Sequence, residues 1–203
     1  MNPISEVMKG VTDLPLALLA VAFGLLLRKK EKNKWSEMFL LVAAAALMGA
    51  GVHIIRITEP YLQLLWVILY ALFFESIRRF SLLTVACISG GPAEEQTATW
   101  IEEGVLYLGS VLLLFFANGL DIYLLVIFMV LMFCRIVVCL TRYGFRPAKV
   151  TGLMVLLIAP IVLQALAAII SFAVVAEHLI LAAAQVVTYA IGKGEQIREP
   201  VSV

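Results

Sequence analysis

Seven apolar runs follow one another along this chain, and its basic residues collect on alternate connections between them. That pattern confines the chain to helices in lipid. A spanning helix needs roughly 20 mostly apolar residues, and a backbone in hydrocarbon must satisfy its own polar groups. Only helices and closed barrels do so, and these runs are too long and continuous for barrel strands. The expected spans are Val11–Leu27, Met38–Ile55, Tyr61–Ile77, Trp100–Ala117, Leu120–Leu140, Lys149–Ala168 and Ser171–Ile191. The third is able to continue through Phe80–Ile88 as an interfacial extension. The expected fold class is all-α: a single seven-helix transmembrane domain over 203 residues.

Charge orients the spans. Arg28, Lys29, Lys30, Lys32 and Lys34 fill the first connection, Arg78 and Arg79 begin the third, Arg142, Arg146 and Lys149 lie on the fifth, and Lys193 and Arg198 follow the last span. Lys9 and Arg56 alone fall on the other side, and Arg135 lies within a span. Basic residues favour the cytosolic face, which places the N-terminus outside and the C-terminus in the cytosol of a multi-pass protein of the cytoplasmic membrane. The same distribution requires an odd number of spans. The segment before the first run is polar and acidic and lacks a small-residue cleavage signature, so the first run is expected to stay as a helix. The segment Ser89–Thr99 reads as a solvated cytosolic connector and the residues after Lys193 as a cytosolic tail.

Composition closes off other classes. The chain is 63% apolar and 14% charged, with mean hydropathy +1.04, whereas soluble domains run nearer 45–50% apolar and about 25% charged. Lipid must be its main solvent. A net charge of +1 with no basic tract outside short connections argues against nucleic acid as a partner. There is no P-loop, no G-x-S-x-G and no H-E-x-x-H. Cys87, Cys134 and Cys139 have no C-x-x-C spacing and read as reduced, unpaired thiols.

Ionisable groups inside spans are costly and carry the functional expectation. His53 lies near the outer end of the second span. Glu177 and His178 lie roughly 9–11 Å below the outer start of the last, and Asp13 opens the first. These groups from separate helices are expected to converge in the outer half of the bilayer. Imidazole and carboxylate suit a borderline metal such as zinc, and an open position on such a metal would activate water. A plainer reading also stands for each. Thr12-Asp13-Leu14-Pro15 has the form of a helix start, with Asp13 as its cap. His53 has the option of bonding a carbonyl at the interface. A second polar set, Glu75 and Arg135, lies at matching depth near the cytosolic face and is expected to form a structural ion pair, while Arg78 and Arg79 reach the headgroups. Gln164 and Gln185 are expected to bond between helices, and Gly49-Ala50-Gly51 to let helices approach closely beside His53.

Thr12-Asp13, Gly49-Ala50-Gly51-Val52-His53, Leu64–Trp66 and the stretch from Phe172 to His178 with Gln185 resemble a family of prokaryotic seven-helix proteins without an assigned activity. That family opens with T-D, carries G-G-x-x-H in its second helix and N-D-x-x-H in its last. Its arrangement is in turn reminiscent of the CREST membrane hydrolases, which include alkaline ceramidases and adiponectin-receptor relatives and hold zinc through histidines of the second and seventh helices. The resemblance implies His53 and His178 as metal ligands, with Glu177 or Asp13 as third ligand or catalytic base, or else a site that has lost its metal. The chain departs from both patterns. Val174 and Val175 stand where the family has Asn-Asp, and the chain has 2 histidines in all.

Three functions compete on this reading. One is a zinc-dependent amide or ester hydrolase acting on a lipid. Another is a haem-binding electron-transfer subunit with His53 and His178 as axial ligands. The third is a non-enzymatic sensor, transporter or structural subunit with no cofactor, binding a lipid or small apolar ligand or another membrane protein. Whether the chain is an enzyme stays open at this level.

Overall fold

A computed structural model describes residues 3–55, 60–89, 104–105, 107–109, 111–112, 127, 130–131, 133–139 and 172–193. These residues are helical except for the turns and bends at helix ends, and no strand occurs among them. The long elements are α1 (Pro3–Arg28), α2 (Asn33–Ile54), α3 (Tyr61–Ser89) and α4 (Phe172–Gly192). Each contains a stretch long and apolar enough to cross a membrane. The expected spans at 100–117 and 120–140 lie partly, and that at 149–168 wholly, outside the described residues.

The start of the first helix differs from expectation. Helix α1 starts at Pro3, not Val11. Thr12 does not cap forward. Its hydroxyl bonds back to the Met8 and Lys9 carbonyls at 2.8 and 2.9 Å, so Thr12-Asp13 lies inside the helix. Pro15 is internal as well and removes only the rung to the Val11 carbonyl. Pro3, with its fixed φ and no N–H to satisfy, takes the opening position. Helix α3 does run on through Phe80–Ile88 to Ser89.

Helices α1 and α2 form an antiparallel hairpin joined by residues 29–32. The turn is a Schellman closure: Lys32 N–H donates to the Leu27 carbonyl and Glu31 N–H to the Arg28 carbonyl, both at 3.0 Å. Its left-handed position is held by Glu31 at φ 61°, where glycine would be unstrained. We expect Glu31→Gly to stabilise the hairpin by about 1 kcal/mol, read as a higher melting temperature in detergent. A lower one would show that the Glu31 side chain holds the turn.

Small residues let the hairpin close. A Cβ on Gly10 would sit 2.6 Å from Ile54 Cγ1 and 2.9 Å from the Ala50 carbonyl oxygen. Further along, Gly24 meets Leu40 and the Ser36 carbonyl. Helix α3 then runs antiparallel to α2, since His53 pairs with Trp66 at one end and Glu37 with Arg79 at the other. Helix α4 runs parallel to α1. Asp13 meets His178, the Leu16 carbonyl meets Gln185, and Phe23 stacks on Tyr189 at 4.4 Å. Residue numbers rise together in both helices. Ser89 and Phe172 therefore belong to opposite ends of the bundle.

The core sits toward the α1–α2 turn. Leu27, Trp35, Met38, Phe39, Phe80, Leu83 and Ile191 pack there with Phe133 and Ile136. A smaller cluster joins Tyr70 and Phe74 to Tyr107, which also donates its hydroxyl to the Val67 carbonyl. Outward faces are apolar too: Leu18 is 70% exposed and Leu179 65%. An aqueous surface would not be built this way at every helix, but a lipid-facing one would.

Candidate functional site: a carboxylate–imidazole pair between the first and last helices

The directions of the helices gather the polar residues. The N-terminal half of α1, the C-terminus of α2 and the N-termini of α3 and α4 share one end of the bundle. Lys9 and Asp13 stand on α1, His53 on α2, Trp66 on α3, and Glu177 and His178 on α4.

The centre is a direct contact. His178 Nε2 lies 3.1 Å from Asp13 Oδ1, with side-chain exposures of 12% and 18%. An ionised carboxylate only accepts, so Nε2 carries the shared hydrogen when Asp13 is charged. The other oxygen, Asp13 Oδ2, rests on α2. It lies 3.0 Å from where a Gly49 Cβ would be. Gly49 is therefore the floor of the site, and Asp13 fills the interval between Gly49 and His178. Glu177 is half-buried and interacts electrostatically with His178, Asp13 and Lys9. Two turns below His178 on α4, Gln185 donates from Nε2 to the Leu16 carbonyl at 3.4 Å, the interhelical role its sequence position suggests. Its Oε1 is buried without a hydrogen-bond partner among the described residues.

His53 belongs to a different contact. Its ring meets the edge of Trp66 at 6.0 Å and 78°, and Trp66 leads on to Tyr70. One helical turn separates His53 from Gly49, whose Cβ position faces the Asp13 carboxylate, and the His53 Cβ lies 3.1 Å from the Cβ position of Gly10 on α1. No three His, Cys, Asp or Glu among the described residues are grouped to hold a metal ion. The expected set of His53, His178 and Glu177 is not grouped in that way among the described residues.

The second polar set centres on Glu75. Glu75 bonds to Arg78 Nε at 2.7 Å and Nη2 at 3.0 Å, and to Arg79 Nε at 2.6 Å. Arg79 continues to Glu37 on α2 at 2.6 Å. These partners lie three and four residues along the same helix, a spacing that needs no tertiary packing. Arg78 is buried, at 8% exposure, and folds back on Glu75 where reach to the headgroups was expected. Arg135, the expected partner of Glu75, is half-buried on the 133–139 helical segment. Of the thiols, Cys134 and Cys139 are in no disulfide among the described residues. Gln164 lies outside the described residues.

Two members of the site escape sequence reading. Lys9 looks like a flanking charge until α1 is known to begin at Pro3. Gly49 looks like a packing glycine, and only the position of Asp13 shows what it accommodates. The spacing of Lys9 and Asp13, one helical turn apart, was the available signal.

No family model, curated protein or solved structure matches this chain.

Proposed function

We propose that the chain is a multi-pass integral membrane protein in which Asp13, His178 and Glu177 form a metal-free, proton-exchanging site of the kind used by membrane sensors and transporters. The observation that carries this reading is the 3.1 Å contact between Asp13 and His178 across α1 and α4. Ionisable groups at membrane depth are expensive and mark proton relays and ligand paths. Here a carboxylate, an imidazole and a second carboxylate stand within electrostatic range of one another, with Lys9 as a counter-charge. Uptake or release of a proton by the Asp13–His178 pair changes the charge at the junction of two helices. That junction is where a conformational equilibrium is biased most directly.

Topology supports the seven-span reading. With α1 and α4 parallel and α3 antiparallel to α2, Ser89 and Phe172 lie at opposite ends of the bundle, which is compatible with an odd number of crossings between them. The three runs at 100–117, 120–140 and 149–168 supply such a number. The basic end of the bundle then faces the cytosol and the Asp13–His178 end faces outward. The CREST-like hydrolase reading needs a metal held by both His53 and His178, and the contact on which the present reading rests is that of His178 with Asp13.

The test is pH-step difference infrared spectroscopy of the full chain in lipid vesicles. We expect paired carboxyl and imidazole bands that both change in Asp13→Asn and in His178→Gln. Carboxyl bands that are unchanged by His178→Gln would contradict a shared proton.

A further inference from the structure

The opposite end of the bundle carries a feature the polar site does not use. Five of the seven residues from Arg28 to Lys34 are basic, and all of Arg28, Lys29, Lys30, Lys32 and Lys34 are exposed. They do not lie on a loose loop. The Schellman hydrogen bonds fix the turn, and Leu27 and Trp35 on either side are buried, at 0% and 5% exposure. Helix α4 delivers a further cation to the same place. Gly192 packs on the Trp35 ring, with its Cβ position 3.0 Å from Cδ2, and the exposed Lys193 follows directly. Glu31 is the one acid within the turn, and Glu37 one turn along α2 is engaged by Arg79.

We infer that this end is a binding surface for anionic phospholipid headgroups. The chemistry follows from position. A rigid platform of cations sits where apolar helices end, so it lies at headgroup level, and clusters of Lys and Arg next to a membrane helix attract anionic lipid by roughly 1 kcal/mol each. In binding terms each lysine contributes about fivefold. The inference rests on the membrane reading above and is independent of what the Asp13–His178 site exchanges.

The experiment is native mass spectrometry of the detergent-purified full chain, titrated with phosphatidylglycerol and phosphatidylcholine of the same acyl chains. The wild-type protein should prefer phosphatidylglycerol by at least about tenfold. The variant with Lys29→Gln, Lys30→Gln, Lys32→Gln and Lys34→Gln should lose that preference and still bind phosphatidylcholine. The matching four-arginine variant should keep it, which separates loss of charge from loss of fold. Equal binding of the two lipids by the wild-type protein overturns the inference while leaving the membrane reading in place. Displacement of phosphatidylglycerol by inorganic phosphate at millimolar concentration also overturns it, because the surface would then read a soluble anion.

Discussion

Asp13→Leu and His178→Ala should each lower the stability of the detergent-solubilised protein by about 2 kcal/mol, and the double variant should lose little more than either alone. A hydrogen bond to a charged group is worth about 1.5–3 kcal/mol, and removing one partner strands the other. Both side chains are largely buried, at 12% and 18% exposure, so water does little to rescue the survivor. When both are gone there is nothing left to strand. The double-mutant cycle therefore isolates the pair. Simple additivity of the two losses, measured as melting temperature or resistance to denaturant, would mean that the contact does not tie α1 to α4. Asp13→Asn should be milder than Asp13→Leu, because an amide still offers the imidazole an acceptor.

The largest packing effect should come from Gly10. Here any side chain meets Ile54 Cγ1 at 2.6 Å and the Ala50 backbone oxygen at 2.9 Å. A side chain can rotate away, but a helix carbonyl cannot. Gly10→Val must push α1 off α2 at the end that holds Asp13 against Gly49. We expect a loss of about 3 kcal/mol or more, and a weakened Asp13–His178 contact as a consequence. Gly51 provides the internal comparison. A Cβ there has nothing within 4 Å, so Gly51→Ala should be neutral or gain up to about 1 kcal/mol from helix propensity. Thermal unfolding of both variants decides the matter. If Gly51→Ala damages the protein as much as Gly10→Val, the close crossing is not where the structure puts it.

Much of the architecture was legible in the chain itself because hydropathy and charge act over whole segments. The runs beginning near Met38 and Tyr61 and ending near Ile191 emerge as α2, α3 and α4 within a few residues. The start of α1 was not legible. Thr12-Asp13-Leu14-Pro15 has the composition of a helix start, and only the back-bonding of Thr12 to Met8 and Lys9 shows that the helix passes through it. For the site, residue type and depth pointed to Asp13 and His178, which meet. For His53 they name the end of the bundle and not the neighbour, because depth says nothing about which neighbour a side chain faces. At the end of α2 an imidazole can turn toward α1 or toward α3, and its ring meets that of Trp66. Glu75 shows the same limit: matching depth suggested Arg135, and the hydrogen bonds to Arg78 and Arg79 on its own helix were not foreseen.

The most direct test of the central claim, that Asp13 and His178 bond to each other without a metal, is the elemental content of untagged, detergent-purified protein and of its His53→Ala and His178→Ala variants. Our account predicts no stoichiometric zinc or iron in any of the three. About one zinc per chain in the wild-type protein, lost in both variants, would mean that His53 and His178 share an ion and would contradict the account.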